Sequence, residues 1–271
     1  VNVSTGSILG CDNTVLRTRR WEVDDPRAQM IIVHGVSEHL GRWGHVAEFF
    51  AGRGIAVMAY DHRGHGCSAG DRIHVDDFEH FVLDLGVVID AARTDLPLIV
   101  YGHSLGGLIT AAYAEGEGTQ PDLYVLSAPA LDANAPQALR TAATVIGRFL
   151  PKVRMPTPVD GSQLSRDESV GEAYLSDPLV VLAGTARFGS EVLAAMNRTR
   201  SNVLSIEVPT LVIHGGDDEL VPPAASAPLA AAGAVERRVF PGLRHEMHNE
   251  PEAADVLGFV ASWLDDHLAR L

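Results

Sequence analysis

The chain has 271 residues, 46% of them hydrophobic and 21% charged, which suits one large core or a core with a small inserted domain. A net charge of −14 and a pI near 5.2 exclude electrostatic capture of nucleic acid and give no long-range pull toward anionic lipid. Two cysteines, Cys11 and Cys67, exclude a disulfide framework and a zinc pattern, and no apolar run approaches the ~18 residues of a membrane span. Val1-Asn2-Val3-Ser4 carries no basic stretch leading into an apolar one. The expectation is a cytoplasmic protein, at most peripheral to a membrane; a processed start would leave secretion open.

In chain order, short apolar and β-branched runs recur at 30–33, 55–60, 98–101, 123–126, 210–213 and 235–240. They end at His34-Gly35, Asp61, Gly102, Ser127, His214-Gly215 and Pro241-Gly242 respectively. Continuous runs of this kind suit strands buried on both faces. Helical spacing lies between them, at 46–52, at 78–93 with Phe81, Leu85, Val88 and Ile89 on one stripe, at 107–113 and at 253–268. Alternating strands and helices predict an α/β fold, an open and mostly parallel sheet flanked by helices. Ligands of such sheets bind beyond the carboxyl ends of the strands, where Gly, Ser, Asp and His gather here.

Residues 131–205 break the rhythm and show no strong strand. Helical pieces are expected at 138–150, 170–174 and 190–199, with Pro151, Pro156 and Pro158 as punctuation after the first. A mainly helical cap inserted in the core divides the chain into core 1–130, cap 131–205 and core 206–271. On 138–150, Leu139, Ala142, Val145, Ile146, Phe149 and Leu150 form an apolar stripe, with Arg140 and Arg148 elsewhere. Ordinary packing onto the core is the expected use of that stripe; transient contact with a membrane surface is the sharper alternative.

The pattern G-x-S-x-G occurs at Gly102-His103-Ser104-Leu105-Gly106 and at Gly66-Cys67-Ser68-Ala69-Gly70. A chain of this length meets it by chance about one time in ten, so context must separate the copies. A nucleophile elbow joins a strand directly to a helix. Ser104 has the strand 98–101 before it and the helix 107–113 after it. Ser68 has neither, and is expected in a loop. The helix N-terminus places the Leu105 N–H where it can donate to an oxyanion.

A serine needs a base, and the base a carboxylate, in the chain order Ser, Asp or Glu, His. Asp217, Asp218 and Glu219 compete after the strand 210–213. His245 and His248 compete after 235–240, while His267 falls in the terminal helix. His62 and His65 sit in a Gly-rich loop with no third ligand nearby, so loop hydrogen bonding is expected rather than a metal. His39, His45, His74 and His80 are expected to be structural or exposed. A second oxyanion donor belongs in the loop His34-Gly35-Val36, with the Val36 N–H as the natural group.

Taken together, several segments resemble the monoacylglycerol lipase, or lysophospholipase-like, group of the α/β-hydrolase superfamily. They are His34-Gly35-Val36-Ser37-Glu38-His39 with Arg42, Asp61-His62-Arg63-Gly64-His65-Gly66-Cys67-Ser68, and Gly102-His103-Ser104-Leu105-Gly106-Gly107. Ser127-Ala128-Pro129-Ala130, His214-Gly215-Gly216-Asp217-Asp218 and His245-Glu246-Met247-His248-Asn249-Glu250 continue the likeness. The resemblance implies an α/β-hydrolase fold with a cap. It selects Asp218 as the acid and His245 as the base, and it gives Val36 and Leu105 as the oxyanion hole. It places Glu38, Arg42, His103 and His248 at the polar head-group end of the pocket, and an apolar, lipid-meeting entrance on the cap. Two departures stand out: Ser37 replaces the family's usual Gly, and the cap matches poorly beyond 127–130.

The expected activity is therefore hydrolysis of monoacylglycerols to glycerol and fatty acid through an acyl-enzyme on Ser104, with no metal and no cofactor. The rival readings are a general carboxylesterase, lysophospholipase or thioesterase acting on another small ester with the same triad and, from another class, a non-catalytic lipid-binding protein on this fold.

Overall fold

The computed structural model describes residues 1–134, 136–157 and 159–271, without the side chain of Leu139. The punctuation expected of Pro158 and the Leu139 member of the stripe lie outside the described residues. The strands in chain order are β1 (Asn2–Leu9), β2 (Val15–Glu22), β3 (Ala28–Val33), β4 (Ile55–Tyr60), β5 (Leu98–His103), β6 (Leu123–Ser127), β7 (Arg154–Pro156), β8 (Ala183–Thr185), β9 (Thr210–Gly215) and β10 (Val235–Phe240). The α-helices are α1 (Gly44–Ala51), α2 (Glu79–Ala92), α3 (Leu105–Ala114), α4 (Gln137–Phe149), α5 (Glu168–Ser176), α6 (Ala186–Asn202) and α7 (Ala253–Leu268).

An eight-stranded sheet runs in the order β1-β2-β4-β3-β5-β6-β9-β10. From β4 to β10 all neighbours are parallel; β2 is antiparallel to both β1 and β4. The inner parallel strands β3, β4, β5, β6 and β9 are mostly apolar because both faces are covered, whereas the edge strand β10 carries Glu236, Arg237 and Arg238. Ile31, Val33, Leu98 and Val100 pack with α2 and α3, through Leu85, Val88, Leu108 and Ile109. The alternate residues Met30, Ile32, Ile99 and Tyr101 pack with α1 and α7, through Val46, Phe50, Trp263 and Leu264. At about 25 cal/mol per Å2 of apolar surface, these two layers supply the main drive for folding.

The cap lies between β6 and β9 and contains α4, α5 and α6. It also contains a two-stranded antiparallel ribbon of β7 and β8, in a stretch expected to hold no strong strand. Three residues per strand are too few to give a periodic signal. The expectation that α4 packs onto the core is corrected. Among the described residues of α4 only Gly147 is buried, and the helix packs along α6. Gly147 comes so close that an added Cβ would lie 2.6 Å from the Ala186 carbonyl oxygen. Val145, Phe149 and Leu150 are left 52%, 72% and 60% exposed.

Candidate active site

The carboxyl ends of β3, β5, β9 and β10 converge on one point. After β5 the chain turns sharply into α3, with Ser104 at φ 53° and ψ −115°. That left-handed backbone costs a serine roughly 1–3 kcal/mol, and the surrounding packing has to hold it. The flanking glycines make the turn sterically feasible: a Cβ on Gly106 would meet the Val33 carbonyl oxygen at 2.0 Å, and one on Gly102 would meet Thr110 Oγ1 at 2.4 Å. The other G-x-S-x-G copy lies in a loop, with Ser68 buried and Cys67, Ala69 and Gly70 exposed. Ser68 Oγ accepts from the Arg17 N–H at 2.8 Å and donates to the Asp61 carbonyl at 2.6 Å, with no base beside it.

The structure brings Ser104, His245 and Asp218 into one hydrogen-bonded line. Ser104 Oγ lies 2.9 Å from His245 Nε2, and His245 Nδ1 lies 2.7 Å from Asp218 Oδ2. An ionised Asp218 must accept, so Nδ1 carries the hydrogen and Nε2 is free to take the serine proton. Asp218 is aimed by its own turn, its Oδ1 accepting from the Leu220 and Val221 N–H groups at 3.0 and 2.9 Å. Asp217 and Glu219 point outward and are exposed. Burial opposes the Asp218 charge, but the His245 ring and donors from His214, His245 and Val221 outweigh it and hold its pKa far below the usual range. Burial likewise opposes a charge on His245, but the Asp218 carboxylate overrides it and raises the imidazole pKa.

Ser104 and His245 open on a cavity of about 490 Å3. Val36 and Leu105 line it beside them. Leu105 is the first residue of α3, so its N–H has no partner within the helix. Glu38, His103, Tyr174 and Glu246 stand on the same polar side of the cavity, and burial keeps His103 neutral. The far walls are apolar, with Phe188, Val192, Leu193 and Met196 of α6 joined by Leu164 and Val159.

Two residues expected at the head-group end lie behind the cavity instead. Arg42 forks onto Glu246 at 2.6 and 2.7 Å and reaches Glu38 at 3.0 Å. Burial pushes the Glu38 carboxyl up; burial opposes Glu246 as well, but the Arg42 fork holds it below its ordinary value. His248 stacks on Trp43 with ring centroids 4.1 Å apart and touches the site only through the His103 ring, 5.0 Å away. The Arg42–Glu246 fork and the Trp43–His248 stack each join segments some two hundred positions apart in the chain, which local spacing does not reveal.

His62 and His65 are buried and bonded to the His34 and Arg63 carbonyls, and among the described residues no cluster suited to a metal is found. Glu246, Tyr174 and the α6 wall went unremarked in the sequence. The wall had a signal, since Phe188, Val192, Leu193 and Met196 repeat at helical spacing; Glu246 stood in the resembling segment 245–250 without a role, and Tyr174 had no signal.

The family model described as serine aminopeptidase, S33 (Hydrolase_4) matches residues 24–252. A monoacylglycerol lipase of Mycolicibacterium smegmatis is 39% identical over 261 residues, which cover 92% of each chain. A monoglyceride lipase of Homo sapiens is 32% identical over 97% of this chain and 90% of its own. Among solved structures, the monoacylglycerol lipase of Paleococcus ferrophilus superposes with a TM-score of 0.86 at 29% identity, covering 93% of this chain and 99% of its own.

Proposed function

The chain belongs to the α/β-hydrolase superfamily, in its monoacylglycerol lipase and esterase-like group, and we propose that it hydrolyses fatty-acid monoesters, monoacylglycerols foremost, through an acyl-enzyme on Ser104. One arrangement carries this reading. The Ser104–His245–Asp218 line opens on a cavity with a short polar side at Glu38, His103, Tyr174 and Glu246 and a long apolar wall on α6. An ester with a small polar alcohol and an apolar acyl chain matches both halves.

His245 takes the Ser104 proton as Ser104 Oγ attacks the ester carbonyl, and the Val36 and Leu105 N–H groups receive the oxyanion. His245 then returns the proton to the leaving alcohol. Water, activated by the same imidazole, releases the acid.

We extend the proposal to the cap: Val145, Phe149 and Leu150 on α4 meet the lipid surface from which the substrate is drawn. A substrate panel tests the main reading. Monoacylglycerols of different chain length should be hydrolysed with higher kcat/KM than short nitrophenyl esters. The reverse order would move the assignment to a general carboxylesterase, and inertness toward all of them would reject an esterase.

A further inference from the structure

We infer that Asp177, a cap residue, is a positioning residue that holds the oxyanion loop in its working shape through His39. The inference rests on the esterase reading above. The loop after β3 carries Val36, and the next residue, Ser37, sits at φ 66°. A serine is unfavourable there, so neighbours must hold the backbone in place.

The core supplies part of the hold. Glu38 Oε1 accepts from the Gly35 N–H at 2.5 Å, and Asp61 Oδ1 accepts from the Leu40 N–H at 2.7 Å. The rest comes from the cap. The Val181 N–H donates to the Ser37 carbonyl at 3.2 Å, and His39 Nε2 lies 2.9 Å from Asp177 Oδ2. His39 Nδ1 accepts from the Gly41 N–H at 3.1 Å, which leaves the hydrogen on Nε2 to donate to Asp177. The second Asp177 oxygen accepts from the Leu179 N–H at 2.8 Å, closing the turn that leads to Val181. One carboxylate thus organises both cap contacts with the loop. Nearby, the Arg42 guanidinium lies over the Tyr174 ring of α5 at 4.8 Å, joining the same two segments.

Neither His39 nor Asp177 lines the cavity, so neither touches the ester. Their effect must pass through the placement of the Val36 N–H, which stabilises charge only in the transition state. Loss of that placement lowers kcat and leaves ground-state binding alone. It does so for every ester, including one too short to reach the α6 wall.

Asp177→Ala, His39→Ala and the double variant are compared with wild type on p-nitrophenyl acetate and on a long-chain monoacylglycerol. The expected result is a fall in kcat of about 10-fold to 100-fold on both esters, the range a small misplacement of a catalytic group produces. KM for the acetate should stay within about twofold. The double variant should be no worse than either single one, because both break the same link. Should Asp177→Ala fail to fold, His39→Ala read in the same way carries the test. An unchanged kcat on the acetate, a rise in KM confined to the long chain, or additive losses in the cycle would overturn the inference. Wild type inert toward both esters would instead overturn the esterase reading itself.

Discussion

At the scale of single residues, the site is a contest between burial and a charge partner. His245 is buried, and burial alone would lower its pKa, yet the Asp218 carboxylate raises it. The base works only when neutral, so a raised pKa brings activity to a stop at a higher pH on the acid side. Asp218→Asn keeps the shape and removes the charge. Its kcat should fall by about 10⁴-fold. The acid limb of its kcat/KM profile should move to lower pH, because the partner that favoured the imidazolium is gone. A limb that stays in place would contradict the assignment of Asp218. The nucleophile was legible in the sequence because a strand and a helix flank Ser104 and not Ser68. The choice between Asp217 and Asp218 could not be made from the residues themselves and came only from the family resemblance. Adjacent carboxylates differ only in which one the turn at 218–221 captures, and backbone N–H groups do that capturing. The placement of Arg42 was hidden for a related reason, since its partner Glu246 lies 204 residues away.

At the scale of elements, legibility followed burial. Strands β3 to β6 and β9 are apolar on both faces and were readable as runs. Strand β1 is exposed on nearly every residue, so it has neither a run nor an alternation, and the β1–β2 hairpin went unseen. The α4 stripe was readable as amphipathic, but its spacing could not say what it faces. It lies along α6 and turns Val145, Phe149 and Leu150 to solvent. If that patch meets lipid, Phe149→Asp should lose most of its binding to phosphatidylcholine vesicles in a flotation assay. Its turnover of a soluble short ester should stay at the wild-type level. Equal flotation of the two proteins would reject the lipid contact.

At the scale of the whole molecule, the fold has enclosed a set of imidazoles whose burial could not be read from the sequence. His34, His62, His65, His103 and His248 are all fully enclosed, and burial is the first cause lowering the pKa of each. His62 is brought down to about 3 and His65 to about 4. An unfolded chain takes up those protons near pH 6.5, whereas the folded one refuses them until far lower pH. The stabilisation is therefore complete above about pH 6.5 and is lost as pH falls toward the folded values. Each such group costs roughly 1.4 kcal/mol per pH unit in that window. His245 runs the other way: with a raised pKa, its contribution is present below about pH 6.5 and lost as pH rises through the folded value. So do the Glu115, Glu38 and Asp61 carboxyls, which burial pushes up, Glu115 to about 8, and they offset part of the loss. The five imidazoles outnumber these four groups, so urea midpoints should fall as pH goes from about 6.5 toward 5. A midpoint that stays level down to pH 5 would contradict this.

The central claim is that one serine carries the chemistry, and covalent labelling tests it most directly. Wild type and Ser104→Ala are treated with a fluorophosphonate, the labelled peptide is mapped by mass spectrometry, and monoacylglycerol turnover is measured on the same samples. The account predicts a single label on Ser104, none on the variant, and turnover lower by about 10⁶-fold in the variant. A label on Ser68, or turnover retained by Ser104→Ala, would contradict it.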